Sequence, residues 1–172
     1  MKITTSIALA VFILASQTTS IFAGRGMDLT LSCDKNKYEK DEPISITLTL
    51  KNNGKAAVWI NKRFFISSRE TAADKRDGYL AVISPSGQPL DCKVTYDTGL
   101  PRTDHFILLE PGKEQSNERK QTINHFFDFT TAGKYKIIAT YENVFGKEIG
   151  LDAVTERLDS KPVTIEILGK KQ

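Results

Sequence analysis

The side chains best suited to chemistry are few: two histidines and two cysteines among 172 residues. His105 adjoins Asp104, and neither His105 nor His125 has a His, Cys or acid at metal-ligand spacing. On a strand, neighbours one apart point to opposite faces, so Asp104 and His105 are not expected to act together. A cysteine nucleophile needs a nearby base. Cys33 shares its alternation with Leu29 and Leu31, and Cys92 with Leu90 and Val94, so both are expected to point inward. The paired acids Asp41 and Glu42 precede a strand and read as solvated turn residues. "DKNKYEKDE" gathers oxygen ligands suited to calcium, but its interspersed lysines repel a cation. There is no Gly-x-Ser-x-Gly elbow, no phosphate-binding glycine loop and no His-Glu-x-x-His. The expectation is a protein that is not an enzyme and carries no metal or cofactor.

What remains is a question of which elements position these residues. Lys2, the apolar run from Ile7 to Ala15, a polar "SQTTS" and a small residue at Ala23 follow the order of an export signal. A membrane-spanning helix needs about 20 apolar residues, and Ser16 to Ser20 breaks this run early. The expected organisation is a cleavable leader over 1–23 and one domain over 24–172, periplasmic or extracellular, with no membrane span after cleavage. Without the leader, 23 basic side chains stand against 21 acidic ones, a net charge of +2. That balance, with the signs intermixed, gives no reason to expect nucleic acid. Export also permits a disulfide between Cys33 and Cys92, the alternative being two buried thiols.

The dominant period in the chain is two. "DLTLSC" puts Leu29, Leu31 and Cys33 on one side, and "ISITLTL" puts Ile44, Ile46, Leu48 and Leu50 on one side. Asn52-Asn53-Gly54 supplies a turn, and "AAVWIN" continues as a strand. "YLAVIS", "LDCKVTY", "HFILLEPGKE", "KYKIIATY" and "KPVTIEIL" read the same way. About seven to nine short strands, joined by Gly, Pro and Asn turns, predict an all-β antiparallel sandwich. Two segments break the rhythm. Residues 61–78 are polar after Ile66 and read as a long connection. In 144–160, Leu151, Val154 and Leu158 are spaced for one side of a short helix. In "KRFF", a strand is expected with Phe64 or Phe65 turned inward.

"TAGKYKI" places Tyr135 two residues after Gly133, at the start of a late strand. That is the form of a tyrosine corner, in which the phenol bonds back to upstream backbone. Alternation puts Tyr135, Ile137, Ala139 and Tyr141 on one face. Together with Tyr38 ahead of Glu42-Pro43-Ile44, the Asn-Asn-Gly strand end and the Leu109-x-Pro111-Gly112 turn, this resembles the immunoglobulin-like β-sandwich modules of exported bacterial proteins. It is also weakly similar to the domain named for a bacterial intracellular proteinase inhibitor. The likeness spans most of 27–168 and lies in turn and core features. It implies an immunoglobulin-like sandwich, and more weakly protease inhibition.

The functional expectation is therefore a non-catalytic binding or accessory module whose partner is another protein. The alternative is an inhibitor of an envelope or extracellular protease, inserting 61–78 or 144–159 into an active site. In an antibody-type sandwich, the segment before the last strand is a binding loop. Phe145, with Lys147 and Glu148, is on that ground the expected exposed contact.

Overall fold

The computed structural model describes residues 26–72, 75–95, 97, 99–117 and 121–169. The leader expected over 1–23 lies outside them, as do 24–25 and 170–172 of the expected domain. Among the described residues the fold is all-β, built from mostly antiparallel sheets and short 3-10 turns, with no α-helix. None of its elements is a helix long and apolar enough to cross a membrane.

Alternation does most of this work. Strand β1 (Met27–Cys33) pairs antiparallel with β3 (Ser45–Asn52), with Leu29 opposite Leu50 and Leu31 opposite Leu48. Met27, Leu29, Leu31, Ile46, Leu48 and Leu50 are all buried, while Asp28, Thr30 and Ser32 face water. On its far side β3 receives the short β8 (Glu114–Ser116) and β9 (Gln121–Thr122).

A second sheet is centred on β10 (Gly133–Tyr141). It lies between β6 (Gly78–Ile83) and β12 (Val163–Ile167), both antiparallel. The two-residue strands β2 (Lys37–Tyr38) and β5 (Ile66–Ser67) join its edges in parallel, and β11 (Leu158–Asp159) pairs with the end of β10. The inward residues of both sheets share one core, including Ile46, Leu50, Val82, Ile137 and Ile165. A third pair, β4 (Val58–Asn61) with β7 (Phe106–Leu109), completes the body.

Tyr135 makes the corner bond. Its hydroxyl donates to the Thr131 carbonyl at 2.8 Å and accepts from the Thr131 N–H at 3.1 Å. The ring is buried, edge-on to Phe129. One residue type thus ties the turn before β10 to the core. Tyr135→Phe should cost about 1 kcal/mol, the scale of one hydrogen bond. Thermal melting should show a fall of roughly 2–4 °C for a domain of this size. An unchanged melting temperature would remove the corner's structural role.

Four expectations need correction. The described residues of "LDCKVTY", 90–95, form no strand. Their only ladder-like contacts are an isolated bridge of Ile83 with Pro89 just before them, the Leu90 N–H to Val82 and the Lys93 N–H to Phe126. Leu151, Val154 and Leu158 form no helix: residues 151–154 run beside β4, where the Val154 N–H bonds Trp59 at 2.8 Å, and Leu158 belongs to β11. Cys33 and Cys92 are not bonded; both are half-buried thiols packed on the main core. The Cys92 thiol donates to the Val94 carbonyl at 3.2 Å. Burial pushes the Cys33 thiol up to about 11, so at neutral pH it stays protonated and a poor nucleophile. Finally, Asp104 and His105 lie on a 3-10 turn (Thr103–His105), not on a strand, and their side chains approach to 4.0 Å.

Candidate functional site

The corner that follows β4 departs furthest from ordinary backbone geometry. Phe64 adopts φ 54°, in the left-handed region where a bulky side chain is a genuine outlier. The consequence is a reversal of two adjacent rings. Phe64 is 2% exposed and packs against Tyr141, with ring centroids 6.1 Å apart, whereas Phe65 is 50% exposed. One ring turns inward as the sequence suggests, but residues 62–65 form a left-handed corner and not the expected strand, and the strained residue is the one that turns in.

Beneath this corner lies a buried polar network. Asp77 accepts from Arg63 Nη2 at 2.6 Å, from Asn61 Nδ2 at 2.9 Å and from the Phe65 N–H at 3.3 Å. The side chains of Arg63 and Asp77 are almost wholly buried. Arg63 also donates to the Gly99 carbonyl at 3.1 Å and lies 5.5 Å from the centre of the Phe65 ring. Tyr141 closes the bottom. Its hydroxyl accepts from the Asn61 N–H at 3.0 Å and donates to the Asn61 carbonyl at 3.2 Å. Full burial pushes its phenol well above the usual range, so it stays a neutral donor. A single guanidinium therefore ties the 61–66 corner, the start of β6 and the 99–100 segment together. The highly exposed Leu100 stands next to that anchor point.

Arg63 and Phe65 form part of the wall of an open cleft of about 520 Å³, completed by Lys62, Asp104, His105, Asn117 and Gln121. Its volume falls in the range of ligand-binding clefts. His105 Nδ1 accepts the Arg102 N–H at 3.0 Å, which leaves the proton of the neutral ring on Nε2. Burial, then the neighbouring Arg63, holds the imidazole below its ordinary pKa, so it is neutral at pH 7. Asp104 stands 4.0 Å from His105 Nε2 but is engaged by Arg102 at 2.7 and 3.0 Å. Among the described lining residues there is no Ser, Thr or Cys for that histidine to activate. What the cleft offers is a rigid aromatic, cationic groups and amide side chains.

The segment expected to provide the contact behaves otherwise. Phe145 is 6% exposed and packs with Phe106 and Ala153 in a small second core against Trp59. Asn143 Nδ2 donates to the carbonyls of Phe145 and Val154, at 2.8 and 2.9 Å, and so fastens both ends of the loop. Of the three residues expected to make contact, Lys147 and Glu148 are exposed, on a 3-10 turn (Lys147–Ile149), where Glu148 accepts from the Gly146 N–H. Phe145 is buried because its segment flanks β4 and covers the apolar outer face of β4 and β7. Gly133 and Tyr135 lie at the turn before β10 and take no part in the cleft, and neither do Cys33 and Cys92.

Sequence reasoning singled out Lys62–Phe65 but not the cleft. The signal available was the doubled aromatic after two cations, which no regular strand buries on one face. Among the described residues no group of three or more His, Cys, Asp or Glu side chains is placed to hold a metal ion. No known protein-family model matches this chain, and no curated protein matches it significantly.

Proposed function

We propose that this chain is an exported, non-catalytic binding module with an immunoglobulin-like β-sandwich fold, and that it works by protein–protein contact through the Phe65 corner. Two mainly antiparallel sheets over a common core and the Tyr135 corner support that fold reading. The observation that carries the functional reading is the reversal of Phe64 and Phe65. A strained backbone residue costs about 1–3 kcal/mol and persists only where its surroundings impose it. Here the Asp77–Arg63 network holds it, and the product is an aromatic ring presented to solvent in a fixed orientation. Rigid aromatic and arginine side chains are the residues that dominate interface energies, because little entropy is lost when they dock. The single exposed aromatic and the acidic Asp104 in the same cleft argue against a nucleic-acid platform.

A tagged protein crosslinked in its own envelope and medium, then recovered and read by mass spectrometry, tests this reading beside Phe65→Ala. The expected result is one dominant protein partner with the wild type, weakened roughly thirtyfold or more by the substitution. Melting should be unchanged, since Phe65 is not in the core. A partner retained by Phe65→Ala, or no protein partner, would overturn it. Protease inhibition is the second reading, favoured by the pre-set, hydrogen-bonded conformation of 61–66. Rapid cleavage within 61–78 by the target would exclude it.

A further inference from the structure

The turn that closes β3 holds a reactive pair of residues that plays no part in the Phe65 corner. Seven asparagines stand in the chain, and Asn53 is the one followed by glycine. The order matters because the backbone nitrogen of the next residue can attack an asparagine side chain. A Cβ on that residue crowds the approach, and glycine has none.

The fold leaves this pair open to water. Asn53 is exposed, one residue past the end of β3, and Gly54 is half-buried. Asn52, Asn61 and Asn143 are buried. Asn36, Asn117 and Asn124 reach the surface but precede residues that carry a Cβ. Asp77-Gly78 is the acidic counterpart of the pair, and there Asp77 is fully buried and gripped by Arg63 and Asn61. Gly54 takes no positive φ, so the backbone at this position does not itself demand glycine.

The same turn is a joint of the fold. The Asn53 N–H donates to the Gly26 carbonyl at 2.7 Å, and its Nδ2 donates to Asp28 at 2.5 Å. The Gly54 N–H donates to Asn52 Oδ1 at 2.9 Å. Asn52 Nδ2 donates in turn to the carbonyls of Ala56 and Leu109, at 2.9 and 2.8 Å. The start of β1, the end of β3 and β7 therefore meet here. Gly26 crosses so closely that a Cβ on it would lie 2.8 Å from the Gly54 nitrogen and Cα.

We propose that Asn53 is a site of spontaneous deamidation, and that the product unfastens the start of β1 from the end of β3. When the turn opens locally, the Gly54 nitrogen leaves Asn52 Oδ1, gives its proton to hydroxide and attacks Asn53 Cγ. A C–N bond forms, the Cγ–Nδ2 bond breaks, and ammonia departs after taking a proton from water. Water then opens the cyclic imide at either carbonyl. One opening gives aspartate, and the other gives isoaspartate, whose backbone runs through the former side chain. Water is the only co-reactant. In both products a carboxylate stands at residue 53 in place of the amide that donated to Asp28, and like charges in such a pair repel. Isoaspartate also lengthens the backbone by one carbon, where the Gly26 crossing leaves no room for it. Loss of ammonia makes the change one-way, so it accumulates as the protein ages.

Peptide mapping by mass spectrometry tests the assignment on folded protein aged in warm, mildly alkaline buffer, beside the same chain unfolded in urea. The mass gain of amide turned to acid should appear in a peptide spanning 52–55 ahead of every other asparagine, and faster as pH rises. An isoaspartyl methyltransferase should label that peptide. Gly54→Ala should remove the gain over the same period. Asn53→Asp should reproduce the product directly, lowering the melting temperature by roughly 2–4 °C. Adding Asp28→Asn restores an amide facing a carboxylate and should recover most of that loss. Phe65→Ala should change none of this, which separates the test from that of the Phe65 corner. A gain at Asn53 confined to the unfolded chain, or spread evenly over the asparagines, would overturn the proposal. An undiminished gain in Gly54→Ala would overturn the route, and an unchanged melting temperature in Asn53→Asp would overturn the unfastening of β1.

Discussion

Asp77→Ala should lower stability by about 3–5 kcal/mol, the usual cost of removing one partner from a buried ion pair. In thermal melting that is a fall of roughly 10 °C or more. The carboxylate is fully buried and receives Arg63, Asn61 and the Phe65 N–H. Alanine leaves a nearly buried guanidinium without its countercharge and two further donors without an acceptor. The double substitution Arg63→Met with Asp77→Leu should recover much of the loss, because two apolar side chains of similar bulk need no compensation. Asp77→Asn preserves shape but not charge, and should fall between wild type and Asp77→Ala. The same variants should release Phe65 from its fixed orientation, so binding should weaken beyond what unfolding explains. A melting temperature within about 2 °C of wild type for Asp77→Ala would mean that the corner is held by packing alone.

The second large effect is expected at Gly78. This residue opens β6 opposite Tyr141 of β10, and it is fully enclosed. A Cβ there would lie 2.3 Å from the Thr140 carbonyl oxygen and 3.5 Å from the Tyr141 Cα. Both are backbone atoms of the central strand, so neither can yield as a flexible side chain would. Gly78→Ala should force β6 away from β10 at the point where the Asp77 backbone carbonyl accepts the Glu142 N–H at 2.8 Å. Overpacking of this kind costs about 1–3 kcal/mol, and the upper end or beyond is expected where only backbone can move. Gly112→Ala is the control, since a Cβ there meets nothing within 4 Å and the penalty comes only from its φ of 75°. Denaturant unfolding of the two variants should rank Gly78→Ala as clearly the more damaging. Equal losses would show that the second sheet tolerates a separation of β6 from β10.

Alternation carried most of the architecture. Leu29, Leu31, Ile46, Leu48 and Leu50 announce their faces by spacing alone, and the structure buries each of them. Turn residues did the same for the break after Asn52 and for the corner at Gly133 and Tyr135. These signals are local: a side chain's face on a strand depends on parity, and a turn depends on a few residues in sequence. The candidate site is not local. Arg63 meets Asp77 and Gly99, while Asn61 meets Tyr141 from 80 residues away. No period in the chain encodes such meetings.

The same limit explains the misplaced contact loop and the unbonded thiols. By composition Phe145 suits an exposed tip, and only the approach of β4 and β7 supplies the apolar face that buries it. Cys92 packs on the main core beside Leu90 and Val94, as their shared parity suggests, but parity says nothing of how far the thiol stands from Cys33, to which it is not bonded. The left-handed turn at Phe64 is the extreme case, since an isolated phenylalanine avoids that conformation. By itself the sequence determined an all-β chain, its principal inward faces and its turns, because neighbouring residues decide these. Only the tertiary structure decided which ring at 64–65 meets solvent and which charges are buried, because each depends on backbone brought together across the fold.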